Sequence, residues 1–313
     1  MARAAALAIA LVLVALLPWI GTPTLVQFAI NALLLATLAQ GWNIIGGYTG
    51  YASFGNSVFY GLGTYGTAVA MTTYQLPFGV GLAIGAVLAV VFAIVLGIPV
   101  LRLRGHYFAI ATLGLAQVMT AIVSNLEIAG RNVGIVMPLL KGDTLFLELS
   151  LALLVLATLA VWWISRSRFG YGLIAIRENE DAAQVMGVNV TMYKVLAFAL
   201  AALFSSLAGG IHGYWITFVD PASAFDITLN VKMIIMAVFG GPGSVLGPVI
   251  GALLLSGVSE VLAAQITSLA SVFFGMVIVI AVVFMPHGLA DLARRFKRLG
   301  VRYFGENVRT NRL

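Results

Sequence analysis

The chain has 313 residues, of which 61% are hydrophobic and 9% are charged. Because a soluble domain has about a quarter charged residues, this composition excludes an ordinary soluble fold and indicates an all-α polytopic integral membrane protein. The absence of cysteine excludes disulfides and thiol catalysis, and three scattered histidines give no reason to expect a metal site or another cofactor in this chain.

Apolar segments long enough to cross a bilayer follow one another along the chain. They run at about 4–20, 25–42, 57–74, 78–100, 107–124, 149–164 and 194–215, and two or more follow between 229 and 286. We predict eight or ten crossings and favour ten, or eight with a broken element. The first segment also resembles a signal peptide, but we expect a retained helix, because cleavage would remove the starting side of the charge pattern.

Basic residues mark the ends of these segments. Arg3 precedes the first, residues 102–104 follow the fourth, and basic residues between 166 and 177 follow the sixth. By parity all three sites fall on one side, which the positive-inside rule makes cytoplasmic. The stretch 292–313 holds seven basic residues against one acid. We therefore predict one transmembrane domain at 1–291, with a cytoplasmic loop at 165–194, and a basic cytoplasmic tail at 292–313. The net charge of +6 is thus explained without a nucleic-acid partner.

Two glycine-rich breaks interrupt the apolar pattern, one at 46–56 and one at 240–248. Non-helical backbone within a membrane is tolerated only where protein or a water-filled cavity satisfies its amides, so each break is a candidate re-entrant or pathway element. Close helix packing is an equally open interpretation. Four glycine pairs have the small-residue spacing of helix contacts: Gly46/Gly50, Gly81/Gly85, Gly209/Gly213 and Gly243/Gly247.

Nucleotide-binding motifs give a negative result. Residues 61–66, GLGTYG, match the dinucleotide fingerprint, but no strand is expected before them, so the match is false. The chain nowhere contains GxxxxGK followed by Ser or Thr, the loop that cradles nucleotide phosphates. If the function of this protein uses ATP, hydrolysis must occur in another subunit.

The core of the polar interval 165–194 is the sequence AIRENEDAAQVMG at 175–187. Asn179 is suited to cap a short helix, acids occupy the first turn, and Gly187 supplies a stop. The pattern predicts a short exposed helix between two spans. Ala182 and Ala183 would let another backbone come close, while Val185 and Met186 offer an apolar contact to a partner. The alternative is a solvated connecting helix.

Four stretches carry a family resemblance. Residues 181–187 resemble the EAA-xxx-G signature of ABC importer permeases, with aspartate in place of the usual glutamate. GYTGYASFG at 47–55, LRGHYFAIATL at 103–113, the loop core at 175–187 and GGPGSVLGPVIGA at 240–252 are similar, in this order, to elements of branched-chain amino acid permeases of the LivM type. The chain departs from that pattern at Tyr51, where glutamine is frequent, and at Asn56, where histidine is more common.

The resemblance implies an ABC importer permease fold that moves leucine, isoleucine and valine across the bacterial inner membrane, with both termini cytoplasmic. The implied partners are a LivH-like second permease, two ATPase subunits that use ATP, an extracytoplasmic substrate-binding protein and membrane lipids. Residues near the breaks are expected to line the substrate pathway: Asn43, Thr49, Ser53, Asn56 and Ser244. The loop is expected to contact the ATPase through Arg177, Glu178, Asn179, Glu180, Asp181, Ala182, Ala183, Met186 and Gly187.

Other functions stay open at this stage. Permeases for urea or short amides share the same motifs. A secondary transporter would need intramembrane acids or a sodium site and would have no docking loop. Glu260 is a candidate functional carboxylate if it lies within a span rather than at a helix end. A membrane enzyme ranks lowest, because the sequence shows no cluster of catalytic residue types and hence no catalytic site.

Overall fold

The computed structural model describes residues 14–19, 21–140 and 142–265. Residues 14–19 are helical, and the rest of the first apolar segment, the basic tail and the region 266–286, on which the choice between eight and ten crossings depends, lie outside the described residues. The helices that follow are α1 Pro23–Trp42, α2 Asn56–Thr72, α3 Phe78–Val100, α4 His106–Asn125, α5 Thr144–Arg166, α6 Arg168–Glu178, α7 Glu180–Val185, α8 Val190–Ile216, α9 Pro221–Ala224, α10 Ile227–Gly240 and α11 Gly247–Gln265.

Six helical stretches in the described part of the chain are long and apolar enough to cross a membrane. They are α1 with the π-helical turn Asn43–Gly47, then α3, α4, α5, α8, and the stretch Pro221–Gly240 that combines α9 and α10. The shorter α2 and α11 fill two further predicted segments. The prediction of an all-α polytopic protein is confirmed.

One of these stretches is broken. At about 1.5 Å per residue, α10 is about 21 Å long, which is less than the roughly 30 Å of a bilayer core. The break lies at residues 225 and 226, between α9 and α10. Asp226 caps α10, because its carboxylate accepts a hydrogen bond from the Thr228 backbone N–H at 2.8 Å. Glu260, whose side chain is exposed, is the fourteenth residue of α11, and the described residues extend five positions beyond it.

Helices α2, α3 and α8 form the most closely packed part of the bundle. A Cβ added at Gly85 on α3 would lie 2.7 Å from the carbonyl oxygen of Gly63 on α2, and one at Gly209 on α8 would overlap the carbonyl of Tyr60. These backbones approach closely because no side chain stands between them. The packing interpretation is confirmed for the glycine pairs on α3 and α8. The fingerprint-like residues 61–66 lie inside α2.

The basic residues that follow α3 and α5 meet at one end of the bundle. Arg104, after α3, pairs with Asp181 of α7 at 2.8 Å, and Arg177 of α6 donates to the Gly47 carbonyl after α1 at 3.1 Å. The predicted common side of 102–104 and 166–177 is thereby confirmed, and we call it the basic end. At the opposite end, strands β1 (Ile135–Val136) and β2 (Phe218–Val219) pair antiparallel.

Candidate functional site

The two glycine-rich breaks, far apart in sequence, lie against each other. The Asn43 amide donates to the Ser244 carbonyl at 3.0 Å, and its oxygen accepts from the Gly243 backbone N–H at 2.7 Å. Gln40, one turn earlier on α1, donates to the Val245 carbonyl at 2.6 Å. The Asn43 amide thus uses both its donor and its acceptor on the second break and, together with Gln40, holds that break against α1 and the turn that follows it.

Side chains satisfy the backbone of the first break. Its helical part extends through Thr49, later than the predicted start at Gly46, and non-helical backbone begins only at Gly50, whose φ is +75°. The Ser53 carbonyl accepts from the Trp42 indole at 2.8 Å. The Phe54 N–H donates to the Thr112 hydroxyl of α4 at 3.1 Å. Buried backbone outside a helix requires such partners, and here α1 and α4 supply them.

Asn230 of α10 completes this arrangement. Its amide donates to the Phe54 carbonyl at 2.6 Å, and its oxygen accepts from the Ser57 backbone N–H at 2.8 Å, in the first turn of α2. Asn230 therefore joins α10 to the end of the first break and the start of α2. A single asparagine in an apolar segment is the sequence signal for this role, but no role was predicted for Asn230.

The polar segment 165–194 folds into two short helices rather than one. Helix α6 follows α5 after Ser167, and α7 follows at Asn179, whose side-chain oxygen accepts from the Ala182 N–H at 2.9 Å. Gly187 has a φ of +89°, which ends the turn. The predicted cap, the acidic first turn and the glycine stop of α7 are confirmed. Helix α6 was not predicted, and Arg177 and Glu178 belong to it.

Helix α7 presents apolar side chains to its surroundings. Val185 is 87% exposed and Met186 is 84% exposed, as expected for residues that contact a partner. Ala182 is also exposed, but Ala183 is buried at 4%. The prediction that both alanines would receive another backbone is therefore wrong for Ala183, because in a helix the two neighbouring positions point in different directions.

A charged cluster joins α7 to the rest of the basic end. Lys194, at the start of α8, is only 3% exposed, and its ammonium donates to Glu180 at 2.8 Å, to the Leu101 carbonyl at 2.8 Å and to the Tyr51 hydroxyl at 3.0 Å. The Tyr51 hydroxyl donates in turn to Glu180. Arg104 lies 3.7 Å from the same carboxylate. The buried charges are thus paired and hydrogen-bonded, as burial requires.

The cluster keeps its carboxylates ionised. Burial raises the pKa of Glu180, but hydrogen bonds from Lys194 and Tyr51, together with the charges of Lys194 and Arg104, outweigh burial and bring its pKa below the ordinary value. The hydrogen bond from Arg104 lowers the pKa of the exposed Asp181. Both acids of the α7 first turn are therefore negatively charged at neutral pH.

The structure places the five predicted pathway residues in different surroundings. Asn43 and Ser244 are brought together at the contact between the breaks. Thr49 donates to the Ile45 carbonyl of its own turn at 2.5 Å and lines a cavity of about 360 Å³ at the basic end. Ser53 accepts from the Gly55 N–H at 3.2 Å. Asn56 is fully buried, and its amide has no hydrogen-bond partner among the described residues. Their role in a pathway stays a prediction.

The comparisons with known proteins decide the family. Residues 24–282 match the family model described as "Branched-chain amino acid transport system / permease component". The chain belongs to this family. The resemblance predicted from the four sequence stretches is therefore confirmed. As a member, the chain is a multi-pass membrane permease of the ABC importer type, and this family of transporter subunits is not itself catalytic.

Curated relatives agree with this assignment. The chain is 29% identical over 316 residues to the high-affinity branched-chain amino acid transport system permease protein LivM of Escherichia coli (strain K12), covering 91% of this chain and 74% of LivM. It is 29% identical over 301 residues to LivM of Salmonella typhimurium (strain LT2), covering 86% and 70%. It is 25% identical over 226 residues to the ribose import permease protein RbsC of E. coli (strain K12), covering 60% and 70%. No solved structure gives a significant match to the chain.

Two further residues of the site were missed at the sequence level. From the sequence, Tyr51 was noted only as a departure from the family pattern, and Lys194 only as the last residue of the polar interval. No role in the site was predicted for either. A lysine next to an apolar segment is ordinarily taken as a charge that stays at the membrane surface. Its burial depends on Glu180, Leu101 and Tyr51, which come together only in the folded chain.

Proposed function

We propose that the chain is the permease subunit of an ATP-driven importer for leucine, isoleucine and valine in a bacterial inner membrane. The basic end, with both termini, faces the cytoplasm. A second permease subunit, two ATPase subunits and an extracytoplasmic binding protein complete the transporter. The positive-inside distribution of the arginines supports this orientation. The LivM relatives support the substrate, because they match a larger share of the chain, at higher identity, than the ribose permease does.

The observation that carries the ATP-driven mechanism is helix α7. It exposes Val185 and Met186 at the basic end. In the same polar segment, Arg177 donates to the Gly47 carbonyl and Glu180 accepts from the Tyr51 hydroxyl, so the segment is bonded to the first break at residues 47 and 51. An ATPase subunit that binds the exposed apolar pair would therefore hold a segment already joined to the inner part of the bundle. A solvated connecting helix would need neither the exposed apolar pair nor these bonds.

These contacts support the following mechanism. The binding protein delivers the amino acid to the outer end of the transporter, and ATP-driven movement of the ATPase subunits shifts α7 together with the adjoining α6. Arg177 carries that shift to the Gly47 carbonyl, and the Asn43 amide carries it on to Gly243 and Ser244 of the second break. For an aliphatic substrate the path should be mainly apolar, with a few polar groups for the zwitterion. No bond of the substrate changes in this chain.

The test is uptake into liposomes that contain the assembled transporter, with binding protein outside and ATP inside. We expect leucine uptake that requires ATP and is not replaced by urea or ribose. Uptake of urea or ribose but not leucine would overturn the substrate assignment. Leucine uptake that follows a sodium or proton gradient without ATP would overturn the importer mechanism in favour of a secondary transporter.

The role of α7 is tested by Val185→Asp together with Met186→Asp. We expect the ATPase subunits to be lost from the purified complex and uptake to fall at least about tenfold, because two charges replace an apolar contact of roughly 1.5–3 kcal/mol per side chain. The matched control is Val133→Asp, an 81% exposed valine at the opposite end. ATPase association should survive in the control. Retained association in the double variant would contradict the coupling role.

A further inference from the structure

The first break is held by the polar segment at three points. The Arg177 guanidinium binds the Gly47 carbonyl, and the aliphatic part of the same side chain lies against Gly50, where an added Cβ would be 2.8 Å from its Cγ. At the third point the Tyr51 hydroxyl binds Glu180. Residues 47–51 therefore cannot move relative to α6 and α7 without breaking hydrogen bonds.

The third point differs from the other two. Arg177 belongs to α6, whereas Glu180 is the first residue of α7, the helix that exposes Val185 and Met186. The Lys194 ammonium donates both to the Glu180 carboxylate and to the Tyr51 hydroxyl. The carboxylate and the hydroxyl, which also bond to each other, are therefore held in place by a shared third partner. The Tyr51 ring is also buried edge-on against Phe108 at 5.1 Å, which limits its rotation.

We propose that Tyr51 and Lys194 are positioning residues that connect the movement of α7 to the backbone of the first break. Resting on the proposed function, this inference names the side chains through which an ATPase-driven displacement of α7 reaches the inner bundle. The Tyr51 side chain links the backbone of the first break to Glu180 of α7 through a hydrogen bond. Lys194 holds this pair together by donating to both the carboxylate and the hydroxyl. A hydrogen bond to a charged group is strong enough to transmit force between two packed arrangements, whereas a loose apolar contact can slide.

The proposal predicts uncoupling rather than loss of assembly. Tyr51→Phe removes only the hydroxyl, and Glu180 keeps its bonds to Lys194 and Arg104, so the protein should fold. We expect ATPase association and ATP hydrolysis within about twofold of the parent, while leucine taken up per ATP hydrolysed falls about tenfold, as for a lost hydrogen bond to a charged group. Tyr171→Phe, the same change at a 65% exposed tyrosine of α6, is the control and should leave the ratio unchanged.

A second variant guards against a purely structural explanation. Lys194→Met alone would leave a largely buried carboxylate, 16% exposed, without its main partner. The paired change Lys194→Met with Glu180→Gln is therefore used, because it removes both charges. We expect a lower ratio of uptake to hydrolysis than in Tyr51→Phe. If uptake and hydrolysis fall in parallel in both variants, or if neither ratio changes, Tyr51 and Lys194 are structural and the proposal is wrong.

Hydrogen exchange separates this proposal from the proposed function. In the assembled complex, Tyr51→Phe should speed amide exchange in residues 50–53 and leave α3 unchanged, because the tether to α7 is lost. If the parent protein shows no ATP-dependent import but exchange is faster in Tyr51→Phe, the link between Tyr51 and α7 is supported and the importer function is refuted. A parent that imports leucine, with an unchanged exchange pattern in the variant, would refute the tether alone.

Discussion

Glycine does two different things in this molecule. Between α2, α3 and α8 it removes side chains so that backbones meet directly: a Cβ at Gly63 would overlap the Ser206 carbonyl. In the two breaks it allows left-handed backbone, with φ of +75° at both Gly50 and Gly243, and polar side chains then bind the exposed peptide groups. The same i, i+4 spacing occurs in both regions. The neighbouring Asn, Arg and Tyr side chains, rather than the spacing, distinguish a packing surface from a break.

The largest expected effect lies in the packed region. Gly63→Leu places a side chain against the backbone of α8, and backbone cannot rotate aside. We expect a loss of at least about 3 kcal/mol, at the upper end of overpacking, seen as little folded protein in detergent and a lowered Tm. Gly79→Leu, at a glycine with open space around its added Cβ, is the control and should leave Tm unchanged. Equal Tm values for the two variants would mean that α2 and α8 do not pack as described.

A smaller effect is expected where the two breaks meet. Asn43→Leu keeps a similar size but leaves the Gly243 N–H and the Ser244 carbonyl without their partner. We expect about 1–3 kcal/mol of destabilisation, from thermal unfolding, and faster amide exchange in residues 241–246. Asn125→Leu removes a bond only to the Ala121 carbonyl of its own helix at an exposed site and should change neither quantity. Unaltered exchange in the Asn43 variant would show that the second break does not depend on α1.

The smallest effect concerns the exposed pair of Arg104 and Asp181. The folded-state pKa of Asp181 lies below its ordinary value of 3.8, so the pair stabilises the fold above the unfolded-state pKa and is lost as pH falls through the folded-state pKa. Asp181→Asn should lower Tm slightly at about pH 7, and the two melting curves should converge once the pH lies below the folded-state pKa of Asp181. A gap that persists in acid would assign the effect to something other than this charge, because the parent carboxyl is then neutral too.

Much of the fold follows from the sequence because the membrane limits the choices. Each predicted apolar segment from 25 to 215 contains one helix, and the arginines after α3 and α5 do lie on one side. Local signals were also sufficient for α7, since Asn179 and Gly187 act through their immediate neighbours. Helix starts and ends of this kind depend on residues a few positions away.

The contacts between distant residues could not be predicted. Asn43 was chosen as a pathway residue, but its bonds to Gly243 and Ser244 join positions 200 and 201 residues apart. No periodicity or cap encodes such a pairing. Ala183 was misplaced for a related reason: a short helix with polar residues on most sides gives no apolar stripe from which to read its buried face. The burial of Lys194 likewise depends on three residues brought from elsewhere in the fold.

Lys194 also bears on the order in which the chain assembles. Its bond to Glu180 spans 14 residues, whereas those to Leu101 and Tyr51 span 93 and 143. Closing a short loop loses less entropy, so the local ion pair can form first and enter the bundle already neutralised. The long-range bonds then complete the site, and the helix C-terminus at Leu101 adds a favourable dipole. We therefore expect Glu180 to neutralise Lys194 before the long-range bonds form.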